Sequence, residues 1–367
     1  MSLIKDIYSR PFYEKFAGTA AAVIPAFDKK LFIRRIFTTG FKDMEWKERM
    51  QHTTGVLHTF LPEDFGKAAK LITQLIGRLR KDDTGEDSLA YIFFADYIAA
   101  YGLEHYDHAV KAIETVTQFV SCEFAVRPFI LKYGERMIGQ MTAWSLHPHH
   151  KVRRLASEGS RPRLPWAMAL PALKKDPSPL FPLLENLKND PSEWVRRSVA
   201  NSLNDIAKDH PDVVISIAAQ WSGISRETDA IIKHGCRTLL KQGHADVLRH
   251  FRLASDHISL SGFDIITPKV KVGGHLEFSF AVSNRNKTAH TIRLEYGIHY
   301  KTAKGMSARK VFKISEKLYA PGAEVTVLRK QSFRPITTRR FYPGQHRLSI
   351  ILNGAEKAWK NFELKPA

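Results

Sequence analysis

The spacing of apolar residues changes from a helical period to a period of two near His257, and this change limits the possible folds more than any other feature of the chain. Up to about residue 255, apolar residues recur every three or four positions, which is typical of amphipathic helices. Beyond it, apolar and polar residues alternate, as from Leu276 to Val282, which is typical of half-buried strands. The sequence therefore predicts a multidomain α plus all-β chain, with a helical domain at 1–255 and a β domain at 256–367.

A repeated dipeptide organises the second half of the helical part. An apolar residue followed by a basic one recurs at Val126-Arg127, Val152-Arg153, Val195-Arg196 and Ile232-Lys233. The intervals are 26, 43 and 37 residues, and the last two lie near the period of about 40 residues found in paired-helix HEAT repeats. An α-solenoid of HEAT or armadillo repeats is therefore expected.

The β part has the pattern of an immunoglobulin-like β-sandwich. About seven alternating segments occupy some 110 residues, a spacing typical of that fold. Turn signals such as Gly273-Gly274, Pro321-Gly322 and Pro343-Gly344 separate them. The only two cysteines, Cys122 and Cys236, lie in the helical part, so the sandwich lacks the disulfide of antibody domains.

The charge of the chain points to a polyanionic partner. A formal net charge of +19 and a pI near 9.8 favour nucleic acid first and an anionic membrane surface second. From Asp256 onward there are 20 Lys and Arg against 8 Asp and Glu, compared with 36 against 29 before it. No secretion signal and no apolar run near 18 residues is visible. We therefore expect a cytoplasmic protein that binds nucleic acid and does not enter a membrane.

The segment from Arg153 to Trp166 concentrates the residues that favour a phosphate-rich ligand. It reads Arg-Arg-Leu-Ala-Ser-Glu-Gly-Ser-Arg-Pro-Arg-Leu-Pro-Trp. A helix that carries Arg153, Arg154 and Glu158 has to end before Pro162. A solvated helix end with several arginines is the structural alternative.

The next repeat indicates how such helices divide their faces. A packing face is predicted for Val195, Val199, Leu203 and Ile206. A free face is predicted for Trp194, Arg197, Asn201, Asp205 and Lys208. The 43-residue interval superposes Arg154 on Arg197 and Glu158 on Asn201. The expected result is a basic surface with embedded carboxylates.

Such a surface has the chemistry that a DNA glycosylase for alkylated bases needs. Alkylation at a ring nitrogen makes the base a cationic leaving group, so that catalysis concentrates on the oxocarbenium ion that forms at the sugar. One carboxylate can stabilise that ion while the same or a second one orients and deprotonates water. Neighbouring arginines can hold the phosphates.

The segment at 153–166 resembles the signature of the AlkC family of bacterial alkylpurine DNA glycosylases, which are related to the HEAT-like AlkD enzymes. The resemblance covers residues 1 to about 255. It implies a monomeric, cofactor-free enzyme that hydrolyses the N-glycosidic bond of small cationic bases in duplex DNA, chiefly 3-methyladenine and secondly 3-methylcytosine. It further implies that the base is not drawn into a pocket.

The resemblance also implies roles for individual residues. Glu158 and Asp205 are the expected catalytic pair, Glu123 is a third carboxylate nearby, and Trp166 is an apolar wall against the deoxyribose. DNA contacts are expected from the basic and aromatic residues of the helical part, Arg153, Arg154, Arg161, Arg163, Trp194 and Arg197. Some members of the family carry an extra sandwich, and DNA contacts are expected from its loops here, at Arg285, Lys287, Arg339 and Arg340.

Each assignment has a structural alternative. Glu158 could form only a surface ion pair with Arg154, Asp205 could be a solvated residue at a helix end, and Glu123 could cap the helix that runs through Val126. Trp194 could shield the neighbouring repeat. The sandwich could be a basic solubilising appendage, and the whole chain a non-catalytic scaffold for nucleic acid or protein.

No metal site is expected. The histidines of the segment Leu-His-Pro-His-His at 146–150 are separated by a proline and lack an acidic neighbour in sequence.

Overall fold

The computed structural model describes residues 3–82, 89–335 and 340–367. Within these ranges sixteen α-helices come first, and the strands follow from Ile258 onward. The predicted order of a helical part before a β part is confirmed. None of the described helices is long and apolar enough to span a membrane.

The helices are α1 (Arg10–Ala21), α2 (Lys29–Ile36), α3 (Trp46–His58), α4 (Phe65–Lys81), α5 (Phe93–Tyr101), α6 (Tyr106–Thr117), α7 (Val126–Tyr133), α8 (Glu135–Trp144), α9 (His150–Gly159), α10 (Pro171–Lys175), α11 (Phe181–Leu187), α12 (Glu193–Ile206), α13 (Pro211–Trp221), α14 (Arg226–Gly235), α15 (Arg237–Gln242) and α16 (Ala245–His250). Short 3₁₀ turns lie at Ile4–Ile7, Leu89–Tyr91 and Ser178–Leu180.

The chain forms two compact units. The first contains Met1–His210 and Trp221–Gly235, and the second contains Pro211–Gln220 and Cys236–Ala367. Most of α13, together with α15 and α16, therefore belongs to the same unit as the strands. The predicted division at residue 255 follows the change from helix to strand instead, and as a domain boundary it stays a prediction.

Two buried tryptophans of the first unit donate indole hydrogen bonds to glutamates. Trp144 Nε1 donates to Glu114 Oε2 at 2.7 Å, and Trp221 Nε1 donates to Glu185 Oε2 at 2.8 Å. Both tryptophans are the last residues of their helices. Because a buried indole N–H needs an acceptor, each bond holds the ring of its tryptophan in place.

The packing face predicted for α12 is confirmed. Val195, Val199, Leu203 and Ile206 are each at most 1% exposed. The neighbouring helix α9 approaches α12 closely through small residues, since Ser157 Oγ donates to Ser198 Oγ at 2.7 Å. Close approach of these two helices brings their polar residues together.

The end of α9 depends on Gly159. A Cβ at this position would lie 2.6 Å from Val126 Cγ1 and 3.2 Å from Met141 Cε, so that α7 and α8 can pack against α9 only without a side chain there. The helix stops at this point, and Ser160 Oγ donates to the carbonyl of Ala156 at 2.6 Å.

The strands are β1 (Ile258–Ile265), β2 (Lys269–Lys271), β3 (His275–Asn284), β4 (His290–His299), β5 (Lys301–Thr302), β6 (Gly305–Met306), β7 (Lys310–Tyr319), β8 (Glu324–Ser332), β9 (Gly344–Leu352) and β10 (Ala355–Lys365). One sheet has the order β1-β3-β8 and the other has the order β2-β10-β9-β4-β7, with β5 and β6 forming a separate ribbon. Side chains from both sheets, including Phe278, Phe280, Leu294 and Ile350, form a single core. The predicted sandwich is confirmed.

An Asn-Gly turn ties the strands of the second unit to its helices. Asn353 and Gly354 have φ values of 47° and 77°, the left-handed conformation that such two-residue hairpin turns require. Asn353 Nδ2 donates to the carbonyl of Ala254 at 2.5 Å, and its Oδ1 accepts from the Arg293 N–H at 2.6 Å. The turn between β9 and β10 is thereby fixed to the segment that follows α16.

We predict opposite effects for alanine at two helical glycines. Gly159→Ala should lower the free energy of unfolding by about 1–3 kcal/mol, because the new methyl overlaps Val126. Gly139→Ala in α8, where a Cβ meets nothing within 4 Å, should raise it by about 0.5–1 kcal/mol. Urea unfolding followed by circular dichroism measures both, and equal effects of the two substitutions would contradict the packing described for Gly159.

Candidate active site

Arg161 lies between the two carboxylates expected to act in catalysis. Its Nη1 donates to Glu158 Oε1 at 2.6 Å, and its Nε donates to Asp205 Oδ2 at 2.9 Å. Lys208 Nζ donates to the other oxygen of Asp205 at 3.0 Å. Burial alone would lower the pKa of Arg161, but Glu158 and Asp205 reverse the effect, and the net shift of its pKa is upward.

Both carboxylates are buried, and the expectation that they lie on an open helix face is wrong. Glu158 is 5% exposed and Asp205 is 1% exposed. Arg161, from the loop after α9, is itself buried and binds both of them. The helix dipole is unfavourable for a carboxylate in the last turn of α12. The ion pairs of Asp205 with Arg161 and Lys208 offset this effect.

A third carboxylate joins the cluster through Arg154. Arg154 Nη1 donates to Glu123 Oε2 at 2.8 Å, and Ser121 Oγ donates to the same oxygen at 2.9 Å. Arg154 Nη2 lies 4.0 Å from Glu158 Oε2, which is beyond hydrogen-bond range. Glu158 therefore has Arg161 and not Arg154 as its main partner, and Glu123 binds the cluster and does not cap α7.

The carboxylates differ in how many of their oxygens are occupied. Both oxygens of Asp205 accept hydrogen bonds from cations. In the described part of the chain, the hydrogen bonds of Glu158 go to Oε1 and those of Glu123 go to Oε2. One oxygen of each glutamate is thus left to accept a proton or a hydrogen bond from a ligand.

The loop that carries Arg161, Arg163 and Trp166 is held by a buried arginine of α7. Arg127 Nε donates to the carbonyl of Met168 at 2.7 Å, and Nη1 donates to the carbonyls of Gly159 and Arg161 at 2.8 and 2.9 Å. The residue is fully buried. Burial and, secondly, the charge of Arg161 lower the pKa of Arg127 to about 10, so it remains protonated at neutral pH.

Trp166 presents its ring to solvent from a strained backbone. It is 70% exposed, and its φ of 65° is rare for a bulky residue. Lys47 Nζ donates to its carbonyl oxygen. A cavity of about 200 Å³ beside the ring is lined by α3, α5, the residues around the start of α7 and the loop at 166–168, and neither Glu158 nor Asp205 is part of that lining.

Arg153 is bound within the protein. Its Nε and Nη2 donate to the two oxygens of Asp190 at 2.6 and 3.1 Å, and Nη1 donates to the carbonyls of His147 and Pro148. Arg196, its counterpart in the next repeat, likewise donates to the carbonyls of Asp190 and Pro191. The first arginine of each Val-Arg-Arg repeat is therefore structural, and we leave Arg153 out of the proposed DNA contacts.

Of the remaining predicted contact residues of the first unit, Arg161 is buried, Arg154 and Arg163 are partly exposed, and Trp194 and Arg197 are exposed. Trp194 is 54% exposed, and the Arg154 guanidinium lies 5.6 Å from the centre of its ring. Trp194 therefore does not serve as a buried shield. Arg197 pairs with Glu193 at 2.7 Å on the surface, and Arg163 pairs with Asp209 at 2.6 Å. Exposed pairs of this kind are weak, so both arginines can exchange their partners for phosphate.

In the second unit, Arg285 and Lys287 are exposed in the turn between β3 and β4. Asn284 Nδ2 shapes this turn by donating to the carbonyl of Thr288 at 3.1 Å. Arg340 is exposed, and its guanidinium lies 5.3 Å from the ring centre of Tyr342. Arg339 lies outside the described residues.

Within the described ranges, no three His, Cys, Asp or Glu side chains come together as a metal site requires. Two of the three histidines at 147–150 bind the local backbone, since Nδ1 of His147 accepts from the His149 N–H at 3.0 Å and Nδ1 of His149 accepts from the Lys151 N–H at 3.2 Å.

Sequence reasoning missed Arg127, although the signal was present. Its Val-Arg dipeptide belongs to the same repeated series as those of Arg153 and Arg196, and all three guanidinium groups bind backbone carbonyls. The carbonyls that Arg127 reaches lie more than 30 residues away, and the dipeptide alone does not identify them.

Known proteins match both the sandwich alone and the chain as a whole. Residues 259–366 match the family model described as the C-terminal Ig-like domain of the uncharacterised protein YhaZ, so the sandwich is immunoglobulin-like. Over 366 residues the chain is 40% identical to the uncharacterized protein YhaZ of Bacillus subtilis (strain 168), covering 99% of this chain and all of that one. The structure also superposes on Pseudomonas fluorescens alkylpurine DNA glycosylase AlkC bound to DNA containing an abasic site analog. The TM-score is 0.93 and the identity 33%, over 99% of this chain and all of that one.

The fold and the site together define a class: helical-repeat proteins with a buried cluster of carboxylates and arginines and an attached immunoglobulin-like domain. Because two proteins more than 30% identical match this chain over 99% of its length, the chain belongs to the AlkC family.

We predict that two arginines of one loop differ sharply in their effect on stability. Arg161→Gln should lower the free energy of unfolding by about 3 kcal/mol or more, because it removes the shared cation from two buried carboxylates. Arg163→Gln, which breaks only a partly exposed pair with Asp209, should cost about 1 kcal/mol or less. Urea unfolding of the two variants measures the difference, and a similar small cost for both would mean that the cluster is not held by Arg161.

Proposed function

We propose that this protein is a monofunctional DNA glycosylase that removes small cationic alkylated bases from duplex DNA by hydrolysis of the N-glycosidic bond. The proposed substrates are 3-methyladenine first and 3-methylcytosine second. The enzyme acts as a monomer and without a cofactor. The observation that carries the proposal is the cluster in which Arg161 holds Glu158 and Asp205 together at 2.6 and 2.9 Å. The likeness to an alkylpurine DNA glycosylase over the full length supports it.

The cluster suits a reaction that develops positive charge at the sugar. A base alkylated at a ring nitrogen is already cationic and leaves as a neutral molecule, so no general acid is required. The electron pair of the glycosidic bond goes to the base, and C1′ becomes an oxocarbenium ion. Carboxylates fixed before the reaction stabilise that ion without further reorganisation. Asp205, with both oxygens held by cations, serves this electrostatic role.

Glu158 is the group that we propose to position and deprotonate the attacking water. Its Oε1 is held by Arg161, while Oε2 lies 4.0 Å from Arg154 and can accept a hydrogen bond from water. Water then adds to C1′ and its proton passes to Glu158. Glu123 shares Arg154 with this oxygen, so it keeps that guanidinium in place between the two glutamates.

The exposed side chains around the cluster are proposed to bind the DNA. Trp166 provides an apolar surface against the deoxyribose, while Arg154, Arg163 and Arg197 meet the phosphates beside Trp194. The proposed role of Arg161 changes from a phosphate contact to the ligand that orders the carboxylates, because it is only 6% exposed. In the second unit, Arg285, Lys287 and Arg340 supply further phosphate contacts from exposed positions.

The damaged base is proposed to remain outside any protein pocket. The cavity beside Trp166 is separate from the lining of the carboxylate cluster, so a base placed there would not use Glu158 or Asp205. Reaction at a sugar that approaches the cluster from the DNA surface is consistent with this arrangement.

We predict that Glu158→Gln and Asp205→Asn each lower the single-turnover rate of 3-methyladenine release on the order of 100-fold to 1000-fold, because each removes a preorganised charge from the reacting sugar. Release of free base from methylated duplex, with duplex affinity measured on the same samples, provides the test. Glu104→Gln is the control, because Glu104 is an exposed carboxylate that pairs only with Lys132 in the described residues, and its rate should equal that of the wild type.

The scaffold alternative gives a different result. A non-catalytic scaffold binds duplex DNA tightly and releases no base from any alkylated substrate, and this outcome for the wild-type chain contradicts the proposed function.

We also predict that the loop after β3 contributes to affinity through phosphates. The logarithm of the DNA-binding constant falls linearly with the logarithm of the salt concentration. Arg285→Ala and Lys287→Ala should each make this slope shallower by about 1 and weaken binding to all sequences alike. Lys330→Ala is the matched control, because its ammonium already binds Glu277 at 2.6 Å. If the slopes for Arg285→Ala and Lys287→Ala equal that of the control, this turn does not contact DNA.

A further inference from the structure

Arg127 is a buried cation that binds backbone carbonyls from both ends of one loop. Nη1 reaches the carbonyls of Gly159 and Arg161, where the loop leaves α9, and Nε reaches the carbonyl of Met168, beyond Trp166. All three hydrogen bonds are between 2.7 and 2.9 Å. One rigid guanidinium thus fixes the separation of the two loop ends.

Burial of the Arg127 guanidinium costs free energy of folding, so we expect the loop to require it. Arg127 is fully buried, and its Nη2 has no hydrogen-bond partner among the described residues. A buried N–H of a charged group that lacks an acceptor is destabilising. Hydrogen bonds from a charged donor are stronger than neutral ones, and the charges of Asp205, Glu123 and Glu158 also favour the protonated form. These interactions offset only part of the cost of burying the charge, since the pKa of Arg127 is still lowered to about 10.

The loop between the two ends carries the groups that most need exact placement. Trp166 has a left-handed φ of 65°, a strained conformation that persists only when the surroundings hold it. Arg161 is held twice, since its carbonyl accepts from Arg127 and its side chain bridges Glu158 and Asp205. A shift of the Arg161 backbone would therefore move the shared ligand of both carboxylates.

We propose that Arg127 is a positioning residue of the glycosylase reaction, which fixes the 159–168 loop so that Arg161 orders the carboxylates and Trp166 faces the deoxyribose. The inference rests on the proposed function. Arg127 itself touches neither DNA nor the reacting atoms, because it has no exposed surface. It acts through the loop.

Lysine is the informative substitution, because it keeps the positive charge and removes the planar guanidinium with its fixed set of N–H donors. A single ammonium on a flexible stem cannot hold three carbonyls in the fixed geometry of a guanidinium. Arg127→Lys should lower the single-turnover rate of base release by about 10-fold to 100-fold, as expected for a small misplacement of reacting groups. The affinity for undamaged duplex should stay unchanged.

Arg49→Lys is the matched control. Arg49 is 8% exposed and also donates to three carbonyls, those of Met44, Lys5 and Lys42. None of these residues belongs to the candidate site. Both substitutions should lower thermal stability, but at a temperature well below both unfolding midpoints only Arg127→Lys should slow base release. Equal rates for the two variants would overturn the positioning role.

A double-mutant cycle separates action through the loop from a general loss of stability. In the background of Trp166→Ala, part of the function of the loop is already absent, so Arg127→Lys should cost a smaller factor in rate than in the wild type. Identical factors in both backgrounds would show that Arg127 does not act through the placement of Trp166.

Amide hydrogen exchange tests the inference without reference to activity. The N–H of Ala167 donates to the carbonyl of Leu164, and that of Leu170 donates to the carbonyl of Pro162. Arg127→Lys should speed exchange at these amides, whereas Arg49→Lys should leave them unchanged. If the wild type releases no base while exchange responds as expected, the proposed function fails and the loop contact stands; unchanged exchange overturns the inference itself.

Discussion

The guanidinium of Arg161 joins Glu158 to Asp205 in a region where little solvent reaches any of the three. Two carboxylates at such a depth are unstable without a cation, and a buried cation is equally unstable without them. Because Arg161 follows the end of α9 by two residues and binds a carboxylate on each helix, it fixes the start of this loop to both α9 and α12. The close approach of these helices through Ser157 and Ser198 is the second half of the same constraint.

The repeat architecture explains how a fixed cluster and an accessible surface occur on the same helices. In each Val-Arg-Arg repeat the first arginine binds carbonyls of the preceding turn, and Arg153 also pairs with Asp190 of the next repeat. The second arginine, Arg154 or Arg197, pairs with a glutamate on the side that carries Trp194. The first arginine thus binds within the helical unit, while the second lies on the side that carries Trp194. Arg127 extends the same use of buried guanidinium groups to the loop that carries Trp166.

Much of the fold could be predicted from the sequence, because it depends on local periodicity. The change of period near His257, the packing face of α12 and the alternation in β3, β4 and β9 are properties of neighbouring residues. The pairing of Glu158 with Asp205 was implied by the family resemblance, whereas the 43-residue interval superposes Glu158 on Asn201. Their burial was not predictable, since it depends on the path of a loop with two prolines and on Arg161, which lies outside both helices. The internal role of Arg153 was hidden for the same reason, because Asp190 lies 37 residues away.

The central claim is that Glu158, Asp205 and Arg161 act as one unit, and a double-mutant cycle on base release tests it most directly. Loss of either carboxylate alone should let Arg161 move and so displace the other. The rate of Glu158→Gln combined with Asp205→Asn should then exceed the value expected from independent effects, by a coupling of about 1 kcal/mol or more. Single-turnover rates of 3-methyladenine release for the wild type, both single variants and the double variant give this coupling. Additivity within about 0.5 kcal/mol would contradict the claim and show that the carboxylates act separately.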